Sequence, residues 1–102
     1  MSNGFGVVVL SSEGRIIDYS LPLNMPYTVM REAVSLGYDI YRVVNTVVEE
    51  LGYKLPRYIT IKLDDYEVSI FKRSNKLVIV IIYTREHMIT GEAIKEEAVV
   101  SD

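Results

Sequence analysis

The sequence predicts an α/β (α+β) domain in which one long helix lies on one face of a five-stranded antiparallel sheet, inserted between the second and third strands. Three observations predict it. Residues 29–51 separate apolar from polar positions at the period of a helix, five short segments have the composition of strands, and two of those hold runs that are apolar at every position.

At 102 residues every element must share one hydrophobic core, so residues 1–102 read as a single domain with its core over about 5–84. The chain is 49% hydrophobic and 25% charged, the balance of a globular protein. It holds no Cys, which removes disulfides, thiolate metal sites and Cys nucleophiles. Gln is absent too, a bias shared by thermophilic proteins.

The first strand runs from Phe5 to Leu10 and ends at Ser11-Ser12-Glu13-Gly14, where Gly supplies the positive φ of a tight turn before a second strand from Arg15 to Tyr19. Pro22 and Pro26 stop any strand. Asn24 is placed to cap a helix and Pro26 to occupy its first turn. Along that helix Val29, Met30, Ala33, Val34, Leu36, Gly37, Ile40, Tyr41, Val43, Val44, Val47, Val48 and Leu51 share one side, and Gly52 followed by Pro56 marks its end. Tyr58 to Leu63 and Tyr66 to Lys72 alternate with period two, joined at Asp64-Asp65. Leu77 to Tyr83 is wholly apolar and, like Val7 to Leu10, demands a central place covered on both faces. In residues 85–102, two basic residues stand against five acidic ones, so the −3 charge of this segment equals that of the whole chain. Gly91 to Val100 reads as a short helix or tail, with Ala93, Ile94, Ala98 and Val99 inward.

Chemistry is poorly represented. The one imidazole, His87, has no His or Cys companion for a metal or acid–base site, and Asp64-Asp65 with Glu67 reads as a turn. Ser11 and Ser12 lie between two strands, where no nucleophile elbow forms, and Gly4-Phe5-Gly6 precedes a strand where a phosphate loop needs a helix. The expectation is no catalytic residue, no cofactor, no metal and no enzyme activity. A formal charge of −3 argues against nucleic acid, and the longest apolar run falls far short of the ~18 residues of a membrane span. No secretory signal precedes Phe5, so the expected compartment is cytoplasmic.

The surplus is apolar. The helix's apolar arc covers about half its circumference, against the stripe of a little over 100° that one sheet requires. Met30, Ala33, Gly37, Ile40, Val44, Val47 and Leu51 can face the sheet. Val34, Tyr41 and Val48 are then left on one flank, with Leu36 and Val43 on the other. The first flank is expected to meet a second copy.

The hairpin from Val7 to Ile17, an apolar strand ending in a Ser-x-Gly turn, followed by a long helix and three antiparallel strands, resembles the roadblock/dynein-light-chain superfamily, of profilin-like fold, over roughly residues 5–84. The resemblance implies the strand order 2-1-5-4-3, which agrees with the central position the two apolar runs demand. It implies a homodimer formed through the edge strand and the long helix, with Val34, Tyr41, Val48, Tyr58, Thr60 and Lys62 at the interface. It implies a non-catalytic regulator or scaffold partner of a Ras-like small GTPase. Typical members also carry a helix before the first strand, and here four residues precede Phe5. The same architecture occurs in PAS/GAF-like and profilin-like sensors of small ligands or peptides, for which a compact pocket lined by Tyr19, Tyr66 and Phe71 would be the mark.

Overall fold

The computed structural model describes residues 4–84. The elements follow in the order β1 (Phe5–Ser11), β2 (Ile16–Ser20), α1 (Tyr27–Glu50), β3 (Tyr58–Lys62), β4 (Tyr66–Lys72) and β5 (Leu77–Thr84). The strands form one antiparallel sheet in the order β2-β1-β5-β4-β3, with the two apolar runs adjacent at its centre. The expected C-terminal helix or tail, and His87 with it, lie outside the described residues.

Alternation sorts the side chains of the sheet onto two unlike faces. Val8 and Leu10 of β1, Val68 and Ile70 of β4, and Val78, Val80 and Ile82 of β5 point toward α1 and are buried with Met25, Met30, Ala33 and Val34. α1 and the sheet approach closely at Gly37, where an added Cβ would lie 3.0 Å from Cγ1 of Val68 and 3.3 Å from Cδ1 of Ile70. On the other face Val7, Val9, Leu77, Ile79, Ile81 and Phe71 are only half-buried. The two-sided cover expected for the central strands is therefore present on one side only among the described residues.

The ends of α1 differ in how they are made. Pro26 sits at the N-cap with extended backbone (φ −64°, ψ 149°) and no side chain caps the helix, so Pro26 lies one position outside the turn expected for it and Asn24 is not the cap. Its fixed φ suits the approach to a helix at little entropic cost. The carboxy-terminal end is a Schellman motif: Gly52 has φ +82°, its N–H donates to the carbonyl of Glu49 at 3.0 Å, and that of Tyr53 donates to Val48 at 3.1 Å.

α1 is longer than the sheet it covers. Twenty-four residues at 1.5 Å rise give about 36 Å, whereas the longest strand, eight residues, spans about 26 Å. The buried helix positions are confined to its first half, Met30, Ala33, Val34 and Gly37. Val47 and Leu51, expected against the sheet, are 48% and 65% exposed.

Candidate interaction surfaces

Three surfaces carry the unsatisfied features of the molecule. The first is the β3 edge. β3 ends the sheet, pairing with β4 on one side only, in the register Tyr58↔Phe71 to Lys62↔Glu67. Its outer backbone groups have no strand partner among the described residues, the arrangement that invites another chain to pair. Tyr58, Thr60 and Lys62 are exposed on the open sheet face, and the Thr60 hydroxyl is held to that of Ser69 at 3.0 Å. Near the start of this strand, Tyr53, Leu55 and Tyr58 are 71%, 44% and 65% exposed, and Val43, Val47 and Leu51 are exposed on α1.

The helix residues expected at a self-interface are placed differently. Val34 is 4% exposed and belongs to the core, while Tyr41 and Val48 are half-buried. That flank is already occupied by the β1–β2 hairpin: the Tyr38 hydroxyl donates to the carbonyl of Ser12 at 2.8 Å, and the Tyr41 ring lies 6.2 Å from that of Tyr38. The exposed flank is the opposite one, with Leu36, Val43 and Val47. The helical period identifies both flanks, but only the position of the hairpin decides which of them is covered.

The second surface is a groove of about 490 Å³ between the hairpin and the first half of α1. Gly14, Arg15 and Ile16 form one wall, and Tyr27, Arg31, Val34, Ser35, Tyr38 and Asp39 the other. At one end the ring of Tyr19 of β2 packs at a tilt of 54° against that of Tyr27, with centroids 5.4 Å apart. At the other, Gly14 at φ +88° lies under the Tyr38 ring. Ser11 shapes the turn, its Oγ accepting from the backbone N–H groups of Glu13 and Arg15. Sequence reasoning missed this site, since its two walls are brought together only by the packing of α1 across the hairpin.

The third surface is the open sheet face. The register aligns Ser20, Val7, Ile81, Ser69 and Thr60 in one row and Asp18, Val9, Ile79, Phe71 and Tyr58 in the next. Phe71 is therefore on the open face, while Tyr19 and Tyr66 share the helix side with Val8 and Val68. The three residues that would mark a sensor pocket do not line one cavity.

Two polar groups stand out within the fold. Burial, aided by the negative charges of Glu32 and Asp65, pushes the Tyr66 phenol above its ordinary pKa of 10.0. Asn45 Oδ1 is buried with no hydrogen-bond partner among the described residues. No group of three or more His, Asp or Glu able to hold a metal occurs among those residues, and no helix is long and apolar enough to cross a membrane.

The strand order, the single long helix between β2 and β3 and the hairpin opening are those expected of a roadblock-type fold. Comparison with known structures gives the same result. A roadblock/LC7 domain from Streptomyces avermitilis superposes with a TM-score of 0.65 at 14% identity, over 89% of this chain and 76% of that one. MglB of Myxococcus xanthus matches with a TM-score of 0.60 at 12% identity, over 79% of this chain. The gliding protein MglB of Thermus thermophilus gives 0.63 at 9% identity, over 78%. The matched region spans 64% and 59% of those two MglB chains. No protein-family model matches the sequence, and no curated protein does. The likeness is one of fold.

Proposed function

We propose that the chain is a non-catalytic interaction module that pairs with a second copy of itself and presents the pair to a Ras-like small GTPase or a scaffold protein. The observation that carries this reading is an unpaired β3 edge on a chain whose Val43, Val47 and Leu51 on α1 and Tyr58 on β3 are exposed apolar side chains. Joining two such edges continues the sheet across both copies and removes the exposed edge, and the overhanging half of α1 supplies the apolar contact a hydrogen-bonded edge alone lacks. The interface assigned here comprises Tyr58, Thr60 and Lys62 with Val43, Val47 and Leu51. Tyr41 and Val48, on the flank that carries the hairpin contact, are left out of it, and Val34 stays in the core. The GTPase partnership rests on the resemblance to the roadblock superfamily, and the MglB and roadblock/LC7 neighbours support it at the level of fold.

Light scattering tests the pairing. The wild-type chain is expected at the mass of a dimer, and a Val47→Glu, Thr60→Pro double variant at that of a folded monomer, because the charge disrupts the apolar contact and Pro removes a ladder donor. A wild-type monomer at millimolar concentration would overturn it. The partner class is tested by titrating Ras-like GTPases, loaded with GDP or a non-hydrolysable GTP analogue, onto the immobilised dimer.

A further inference from the structure

We propose that the β3 edge carries a charge code for a second copy of this chain: two edges pair antiparallel with Thr60 facing Thr60, and Arg57 of each copy lies beside Asp64 of the other. The proposal rests on the self-pairing above and fixes what that reading leaves open, the direction and the register of the pair.

The backbone sets the register. The Leu63 N–H donates to the carbonyl of Tyr66 at 2.9 Å, so alternation turns the backbone groups of Ile61 and Ile59 toward β4 as well, and those of Tyr58, Thr60 and Lys62 toward the free edge. Centring on Thr60 sets Tyr58 against Lys62 of the second copy, Thr60 against Thr60 and Lys62 against Tyr58. Every outward group is then met, with two hydrogen bonds exchanged in each pair. Centring on Tyr58 or Ile59 instead brings Pro56, which has no N–H, into the ladder. Centring on Ile61 sets Tyr58 against Asp64, which belongs to the turn beyond β3, and centring on Lys62 opposes two ammonium groups.

Charge sets the direction. Arg57 directly precedes β3, and Lys72 and Arg73 lie at the same end of the sheet, since Tyr58 opposes Phe71. With Lys54 they make four cations, against the two carboxylates of Glu49 and Glu50 at the end of α1. Asp64 and Asp65 close the opposite end of β3, and the charges of Asp65 and of Glu32 on α1 both act on the Tyr66 phenol there. Lys62 is opposed by Glu67 across the ladder, and Arg31 lines the hairpin groove, so neither neutralises this acidic end. Arg57, Asp64 and Asp65 are exposed and have no ion pair among the described residues. An edge positive at one end and negative at the other is complementary to itself when reversed. Antiparallel pairing puts Arg57 opposite Leu63 and one residue from Asp64 of the second copy, across a strand spacing of about 4.8 Å, and two-fold symmetry makes the contact twice. Parallel pairing would set Arg57 beside Arg57 and Asp64 beside Asp64. Exposed ion pairs add little to stability, so their effect is on the choice of partner and orientation.

The test measures dimer dissociation constants by analytical ultracentrifugation, with circular dichroism to check that each variant is folded. Arg57→Glu and Asp64→Lys, made singly, are each expected to weaken self-association about tenfold, because two attractive contacts become repulsive. Their equimolar mixture is expected to regain the wild-type affinity as a mixed dimer. The chain carrying both substitutions reverses the polarity, so it is expected to pair with itself as the wild type does and to reject the wild type. The chain has no Cys, so one introduced thiol reports the register. Thr60→Cys is expected to form an intermolecular disulfide on oxidation, since directly paired Cα atoms lie about 5.5 Å apart, and Tyr58→Cys none, its counterparts being out of step along the strand. Single-charge variants that associate like the wild type, or a double variant that pairs equally well with the wild type, would overturn the charge code and leave the pairing standing. Cross-linking through Tyr58→Cys in place of Thr60→Cys would overturn the register. A wild-type monomer at millimolar concentration would overturn the pairing and this inference with it.

Discussion

A Cβ built on Gly14 would lie 2.5 Å from Cε2 of Tyr38, whose hydroxyl reaches the Ser12 carbonyl at the same turn. Gly14 serves two needs at once, a left-handed φ of +88° and room for the ring. Gly14→Ala is expected to cost ~2 kcal/mol or more in urea unfolding, combining left-handed strain with displacement of Tyr38. Tyr38→Phe, which removes one partly solvated hydrogen bond, should cost ~1 kcal/mol. If the ring contact matters, the double variant Gly14→Ala, Tyr38→Ala will be less destabilised than the sum of its parts. The turn glycine was legible in the sequence, but its second role was not, because the pattern around Gly14 says nothing of a tyrosine twenty-four positions away.

Tyr66 gives the residue scale a pH dependence. Its folded pKa is raised, so the native state holds the phenolic proton after the unfolded chain has begun to release it. The associated stability is fully present below the unfolded value near 10 and is lost as pH rises through the higher folded value. The melting temperature is thus expected to fall more steeply above pH 10 in the wild type than in Tyr66→Phe. Parallel curves for the two proteins would remove Tyr66 from the account.

Elements were legible to the extent that local pattern determines them. The positive φ at Gly52 and the two backbone bonds of the Schellman motif follow from a glycine placed after the last apolar position of α1. The five strands appear within one or two residues of their expected limits, since period-two alternation and turn residues are properties of short stretches. The N-terminus of α1 was shifted by a residue because Pro26 satisfies either of two neighbouring positions with the same φ. Which apolar flank of α1 remains exposed was not legible. An amphipathic arc reports direction around a helix axis and carries no information on where along that axis the sheet ends. Val47 and Leu51 satisfy the pattern of buried residues and are nevertheless exposed.

At the scale of the molecule, the exposed apolar side chains of the second half of α1 and an unpaired strand occur together, and the open sheet face adds further half-buried apolar rows. A dimer formed at β3 would couple folding to association, since the exposed side chains of Val43, Val47 and Leu51 are desolvated only in the pair. Stability must then depend on protein concentration. A hundredfold rise in concentration adds ~1.4 kcal/mol per chain for a two-state folded dimer, which for a domain of this size corresponds to a shift of roughly 5–10 °C in melting temperature. The Val47→Glu, Thr60→Pro variant should melt at a temperature independent of concentration, whereas Arg15→Glu, on the opposite edge, should retain the wild-type dependence. A wild-type melting temperature constant over that range, above the concentration at which light scattering detects a dimer, would show that the copies associate without contributing to each other's folding. The β3 edge would then be a contact between independently stable domains, and the exposed half of α1 would remain available to the partner.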